Sequence, residues 1–115
     1  MTTLSQQKCT PCSGEASPAT SEEIEQMKQQ VPDWNLIKEE GESRLRRAYE
    51  FKDFQSALAF TQAVGDAAEA EGHHPTLLTE WGKVTVTWWT HAISGLHQND
   101  FIMAAKTDEI ADDIT

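Results

Sequence analysis

The stretch from Asp53 to Thr90 constrains the fold more than any other. Asp53 to about Glu71 reads as one long helix, because Phe54, Ala57, Leu58, Thr61, Val64 and Ala68 recur at helical spacing. Asp53 is placed to cap its start and Gly72 to stop it. Thr76 to Thr79 is then extended, Trp81-Gly82-Lys83 makes a turn, and Val84-Thr85-Val86-Thr87-Trp88-Trp89-Thr90 alternates in β-branched and aromatic residues, the pattern of a strand. A helix followed at once by a hairpin excludes an all-helical bundle.

The same grammar runs upstream. Thr20-Ser21-Glu22-Glu23 fits a capping box, and Ile24, Met27 and Val31 form one helical stripe that Pro32-Asp33 ends. Trp34 to Lys38 reads as a strand and Glu40-Gly41-Glu42 as a turn. Leu45, Tyr49 and Phe51 fall at even offsets of a second strand, whose other face holds Arg44, Arg46, Ala48 and Glu50. After Gly95 a last helix runs from about Asn99 to Asp113, with Phe101, Ala104, Ala105 and Ala111 on one side. The order α-β-β-α-β-β-α predicts an α+β domain over residues 20–115: a four-stranded antiparallel sheet with helices packed on one face. The other face is left for a partner subunit or a substrate. Residues 1–19 read as a flexible tail. Its Cys9-Thr10-Pro11-Cys12 has no second C-x-x-C to complete a zinc site, and is read without a structural role.

Composition narrows the function classes. With 19 acidic and 9 basic side chains, the net charge is −10, which repels a phosphate backbone, so no nucleic-acid partner is expected. The one basic cluster, Arg44, Arg46 and Arg47, is flanked by Glu39, Glu40, Glu42 and Glu50 and reads as a solvated strand face. No segment approaches the ~20 apolar residues of a membrane span, and no signal peptide is recognised, so a cytoplasmic location is expected. An apolar content of 38% makes one thin core, which oligomerisation commonly supplements.

Three of the four histidines, His73, His74 and His91, fall within nineteen positions. Imidazole exchanges protons near neutral pH more readily than any other side chain. Glu69 lies four residues before His73, placed to orient it across the helix end. Pro75 holds the backbone of His74 extended. A hairpin closing near residue 81 returns residues 88 to 91 to the neighbourhood of residues 73 and 74, so three imidazoles can converge at one end of the sheet. They could be surface groups, metal ligands beside a carboxylate, or a metal-free acid–base set. Neighbours in an extended segment point in opposite directions, which disfavours a single ion and suits two proton sites on one substrate. His97 reads as capping or solvated. Asp100, at the positive end of the last helix, reads first as a structural cap. The tryptophans read as packing groups, although Trp81 at its turn could flank a planar ligand.

The string Glu-x3-His-His-Pro-x5-Trp-x9-His-x8-Asp, from Glu69 to Asp100, resembles the signature of the pterin-4a-carbinolamine dehydratases. The similarity extends over about residues 20 to 113. It includes Pro32-Asp33-Trp34, Phe51-Lys52-Asp53-Phe54, Ala-Glu-Gly-His-His-Pro and Thr-Glu-Trp-Gly-Lys-Val-Thr-Val. The resemblance implies a four-stranded sheet with helices on one face, a homodimer or homotetramer, and a hydro-lyase that dehydrates a 4a-hydroxy-tetrahydropterin to quinonoid dihydropterin and water. That substrate arises when aromatic amino acid hydroxylases use tetrahydropterin. It implies His73, His74 and His91 as catalytic residues, Glu69, Pro75, Trp81 and Asp100 as supporting or substrate-binding ones, and no metal, nucleotide or redox cofactor. Some animal members also bind a transcription factor as a dimerisation cofactor. That protein-binding role and a metal-dependent hydrolase are the alternatives to the dehydratase.

Overall fold

The computed structural model describes residues 19–90 and 95–114. The elements are α1 (Ser21–Lys28), β1 (Asn35–Glu39), β2 (Glu42–Glu50), α2 (Phe54–Glu71), β3 (Thr76–Glu80), β4 (Lys83–Trp88) and α3 (Gln98–Ile114). The expected order is therefore found, as an α+β fold. The expected N-terminal tail, with Cys9 and Cys12, lies outside the described residues apart from Ala19. Among the described residues no helix is long and apolar enough to cross a membrane.

The strands form one antiparallel sheet in the order β1-β2-β4-β3. β2 and β4 pair in the middle, with Leu45 opposite Trp88 and Tyr49 opposite Val84. Those four side chains and Val86 are buried on the helix-bearing face. Gly82 fixes the β3–β4 turn. Its φ is +72°, a Cβ there would lie 3.0 Å from the Phe51 carbonyl, and Phe51 N–H donates to the Gly82 carbonyl at 2.8 Å. The turn is thereby tied to the segment that leads into α2.

Local signals account for the helix starts. Thr20 and Glu23 complete the capping box of α1, with bonds of 3.2 and 2.9 Å. Asp53 Oδ1 accepts from Ser56 N–H at 2.7 Å, and that backbone bond holds the Asp53 carboxyl below its ordinary range.

Three expectations need correction. The buried stripe of α2 is Ala57, Phe60, Val64 and Ala68, whereas Phe54 and Leu58 are 42% and 47% exposed. The periodicity had mixed the core face with the shoulder beside it, roughly a quarter turn away. In α3 the whole run Phe101-Ile102-Met103-Ala104 is buried, not one side of it. α3 packs against α1, α2 and the sheet, and this run of it is buried all round.

The arginines do not make one solvated face. Arg44 and Arg46 share the outer face and both bond Glu39, at 2.8 and 2.7 Å. The bond from Arg46 is the main cause of a Glu39 carboxyl held below its usual range. Arg44 is largely covered, its guanidinium 4.1 Å from the ring centre of Trp89. Arg47, of opposite parity, points to the helix side and donates to Asp108 Oδ1 at 2.8 Å. The same oxygen accepts from Trp34 Nε1 at 3.0 Å and from the Tyr49 hydroxyl. Asp108 thus clasps α3 to β2 and to the loop before β1. Burial, then the bond to Asp108 and its charge, push the Tyr49 phenol far above its ordinary value.

Candidate active site

Gly72 decides where the paired histidines go. It adopts the left-handed conformation, φ 65° and ψ 29°, and its N–H donates back to the Ala68 and Glu69 carbonyls. His73 N–H also donates to the Ala68 carbonyl, at 3.1 Å. The chain reverses sharply here, with little penalty for a residue lacking a Cβ. His73 turns inward and is 7% exposed, while His74 faces solvent. Pro75 follows His74 and Thr76 opens β3. The divergence expected of adjacent residues is what the fold contains.

His73 meets a carboxylate that comes from the other end of the domain in sequence. Its Nε2 lies 2.7 Å from Asp100 Oδ1. Asp100 is fully buried, and its Oδ2 accepts from the Thr90 hydroxyl at 2.8 Å and from His97 N–H at 2.9 Å. A buried carboxylate is tolerated when its oxygens are engaged by donors, and here three converge. Oδ1 can only accept, so His73 Nε2 carries a hydrogen. Nδ1 is then the nitrogen left for chemistry. The ring also stacks on Trp88, with centroids 5.6 Å apart and planes 6° from parallel. Trp88 is itself fixed, because its Nε1 donates to Thr107 Oγ1 at 3.2 Å. Asp100 and Thr107 stand two turns apart on α3, so one helix face holds both supports of His73.

His74 has a different neighbour. Its Nε2 is 2.7 Å from Glu69 Oε1, and both side chains are mostly exposed, at 60% and 78%. This corrects the expectation that Glu69 backs His73. The left-handed turn at Gly72 breaks the helical phase, and the residue that swings back over the last turn is His74. Asp100 is more than a cap. It does hold the His97 N–H at the entry to α3, but its other oxygen holds His73. His97 has a capping part of its own, with Nδ1 accepting from Asn99 N–H at 3.1 Å.

His73, His74, Glu69, Pro75 and Asp100 are thus brought to one end of the sheet, joined by Trp88 and Thr90, which sequence reasoning did not place in the site. Thr90 carried a signal, since it ends the alternating strand that must return to residue 73. Trp81 is 73% exposed at the opposite end of the hairpin, beyond the Glu80–Lys83 pair. It stands about 20 Å or more along the extended chain from the histidines, so a single chain does not bring it to them. His91 lies outside the described residues. Among those that are described, no three His, Cys, Asp or Glu side chains are grouped to hold a metal ion. His73 and His74 are each turned to a separate carboxylate.

The pterin 4 alpha carbinolamine dehydratase family model matches residues 17–110. The chain belongs to that family. It is 64% identical to a protein of Microcystis aeruginosa over 96% of this chain and 95% of that one. It is 58% identical to one of Chlorobaculum tepidum over 96% and 99% respectively. The names of both relatives assign them, provisionally, as pterin-4-alpha-carbinolamine dehydratases. Among solved structures, a transcriptional coactivator/pterin dehydratase from Brucella melitensis superposes with a TM-score of 0.74 at 30% identity, covering 83% of this chain and 99% of that chain. A pterin dehydratase-like protein described as a RuBisCO assembly factor in the alpha-carboxysome superposes with a TM-score of 0.59, covering 69% and 89%; at 21% identity it shares the fold.

Proposed function

We propose that this family member is a hydro-lyase that dehydrates a 4a-hydroxy-tetrahydropterin to the quinonoid dihydropterin and water, in the cytoplasm, and so returns the tetrahydropterin of aromatic amino acid hydroxylation to use. The observation that carries the proposal is the bond of the buried His73 to Asp100 beside the exposed His74. In the reaction the C4a–O bond breaks, and the departing hydroxyl takes a proton to leave as water. The N5–H bond gives up its proton as the C=N bond forms. Atoms balance without oxidant or reductant.

In this reading His73 and His91 are the acid–base pair. His73, held through Nε2, exchanges its proton at Nδ1. His74, steadied by Glu69, orients the pterin and stabilises charge, while Pro75 fixes the direction in which His74 projects. General acid–base catalysis of this kind is worth about 10² to 10⁴-fold. Exposed Leu36, Phe54, Leu58, Leu78 and Trp81 support a homodimer or homotetramer, in which a planar ligand could meet Trp81 from another copy.

The test follows the decay of enzymatically generated 4a-hydroxy-tetrahydropterin. The chain accelerates it, and a variant with His73, His74 and His91 all changed to Ala does not. Full rate in the triple variant overturns the reading. A second reading, a protein-binding cofactor, is favoured by the coactivator description of the Brucella melitensis structure and by the apolar Phe54 and Leu58 on α2. A stoichiometric protein partner, with no effect on 4a-hydroxypterin decay, would select it.

A further inference from the structure

We infer that Thr90 is a positioning residue of this site: its hydroxyl locks the Asp100 carboxylate so that His73 is held as the Nε2–H tautomer with Nδ1 presented for proton transfer. Thr90 is 2% exposed. Its backbone is held by a pair of bonds to one residue, with N–H donating to the Gly95 carbonyl at 2.8 Å and its own carbonyl accepting from Gly95 N–H at 3.3 Å. A β-branched side chain on a fixed backbone has little χ1 freedom, so the hydroxyl is aimed rather than merely near. It donates to Asp100 Oδ2 at 2.8 Å.

The terminal torsion of an aspartate is soft. Without Thr90 the carboxylate keeps His97 N–H on Oδ2 and the His73 imidazole on Oδ1, and its plane can swing together with that ring. A second donor on Oδ2, arriving from the end of β4, fixes it. With it in place Oδ1 sits 2.7 Å from Nε2 of a His73 ring that Trp88 holds by stacking. A swung carboxylate would let the imidazole place its hydrogen on either nitrogen, and the fraction with Nδ1 unprotonated would fall.

The kinetic side of this inference rests on the dehydratase reading; the tautomer side does not. Thr90→Val keeps the volume and removes the donor, while Thr90→Ser keeps the donor. Nitrogen-15 NMR of the His73 ring at neutral pH is expected to show a single Nε2–H tautomer in wild type and Thr90→Ser, and a mixture in Thr90→Val. With 4a-hydroxy-tetrahydropterin as substrate, Thr90→Val is expected to lower kcat about tenfold, the scale of one hydrogen bond to a charged group, with KM little changed. Thr90→Ser is expected to restore kcat. Thr90→Ala takes the place of Thr90→Val if the latter does not fold. A Val or Ala variant that keeps the single tautomer overturns the inference. So does a fold lost with both, which would make Thr90 a residue of the fold alone. If the tautomer responds while wild type shows no dehydration, the dehydratase reading fails and the role of Thr90 stands.

Discussion

Asp100 and Asp108 stand two turns apart on the same helix, and each gathers three donors. Asp100 spreads them over both oxygens, and one comes from an imidazole with a second nitrogen to spare. Asp108 takes all three on Oδ1, from an indole, a guanidinium and a phenol. None of those three donors changes charge near neutral pH. The same residue type in the same element thus serves as a clasp at one end and, in the proposed reading, as support for chemistry at the other. Bond count does not separate the two, and although Asp100 is fully buried and Asp108 only partly so, what sets them apart is what their donors can do with a proton.

The comparison is easiest to break through the donors, and four results would sharpen it. His73→Ala is expected to cost about 10² to 10⁴-fold in kcat/KM, measured by stopped-flow loss of 4a-hydroxy-tetrahydropterin. Asp108→Ala strips the clasp and is expected to cost about 2–3 kcal/mol in urea unfolding, with the rate unchanged at a temperature where the variant is folded. Tyr49→Phe removes one of the three donors, for about 1 kcal/mol at neutral pH. It should also change the alkaline limb. The folded phenol is held far above the ordinary value near 10, so the folded chain keeps a proton there that the unfolded chain gives up. The stability contributed by this group is therefore level below pH ~10 and falls as pH rises above it, and Tyr49→Phe should lose that part of the slope. Glu69→Gln, at an exposed pair, is expected to shift unfolding by no more than ~0.5 kcal/mol. Urea unfolding at neutral and at alkaline pH checks the Tyr49 expectation, and unfolding at neutral pH the Glu69 one.

Much of the site was legible because hairpins are periodic. The alternation through Trp88, with the turn at Gly82, was enough to return the end of β4 to residue 73, and adjacent histidines had to diverge. The partner of each imidazole was not legible. A left-handed residue at Gly72 resets the helical phase, so Glu69 meets His74 instead of His73. The carboxylate that does meet His73 is 27 positions away and depends on how α3 docks. Phe60 was left out of the α2 stripe, and Arg47 misplaced, for a related reason. A helical stripe broad enough to include Phe54 does not say which edge packs, and a strand run of arginines hides a parity change between Arg46 and Arg47.

Asp100 is proposed to serve the chemistry and Asp108 the fold. Asp100→Asn and Asp108→Asn assayed side by side for 4a-hydroxy-tetrahydropterin loss, with both shown to be folded, test it most directly. The account predicts that Asp100→Asn falls by about 10²-fold or more while Asp108→Asn keeps the wild-type rate. Equal rates in the two variants, or a loss confined to Asp108→Asn, would contradict it.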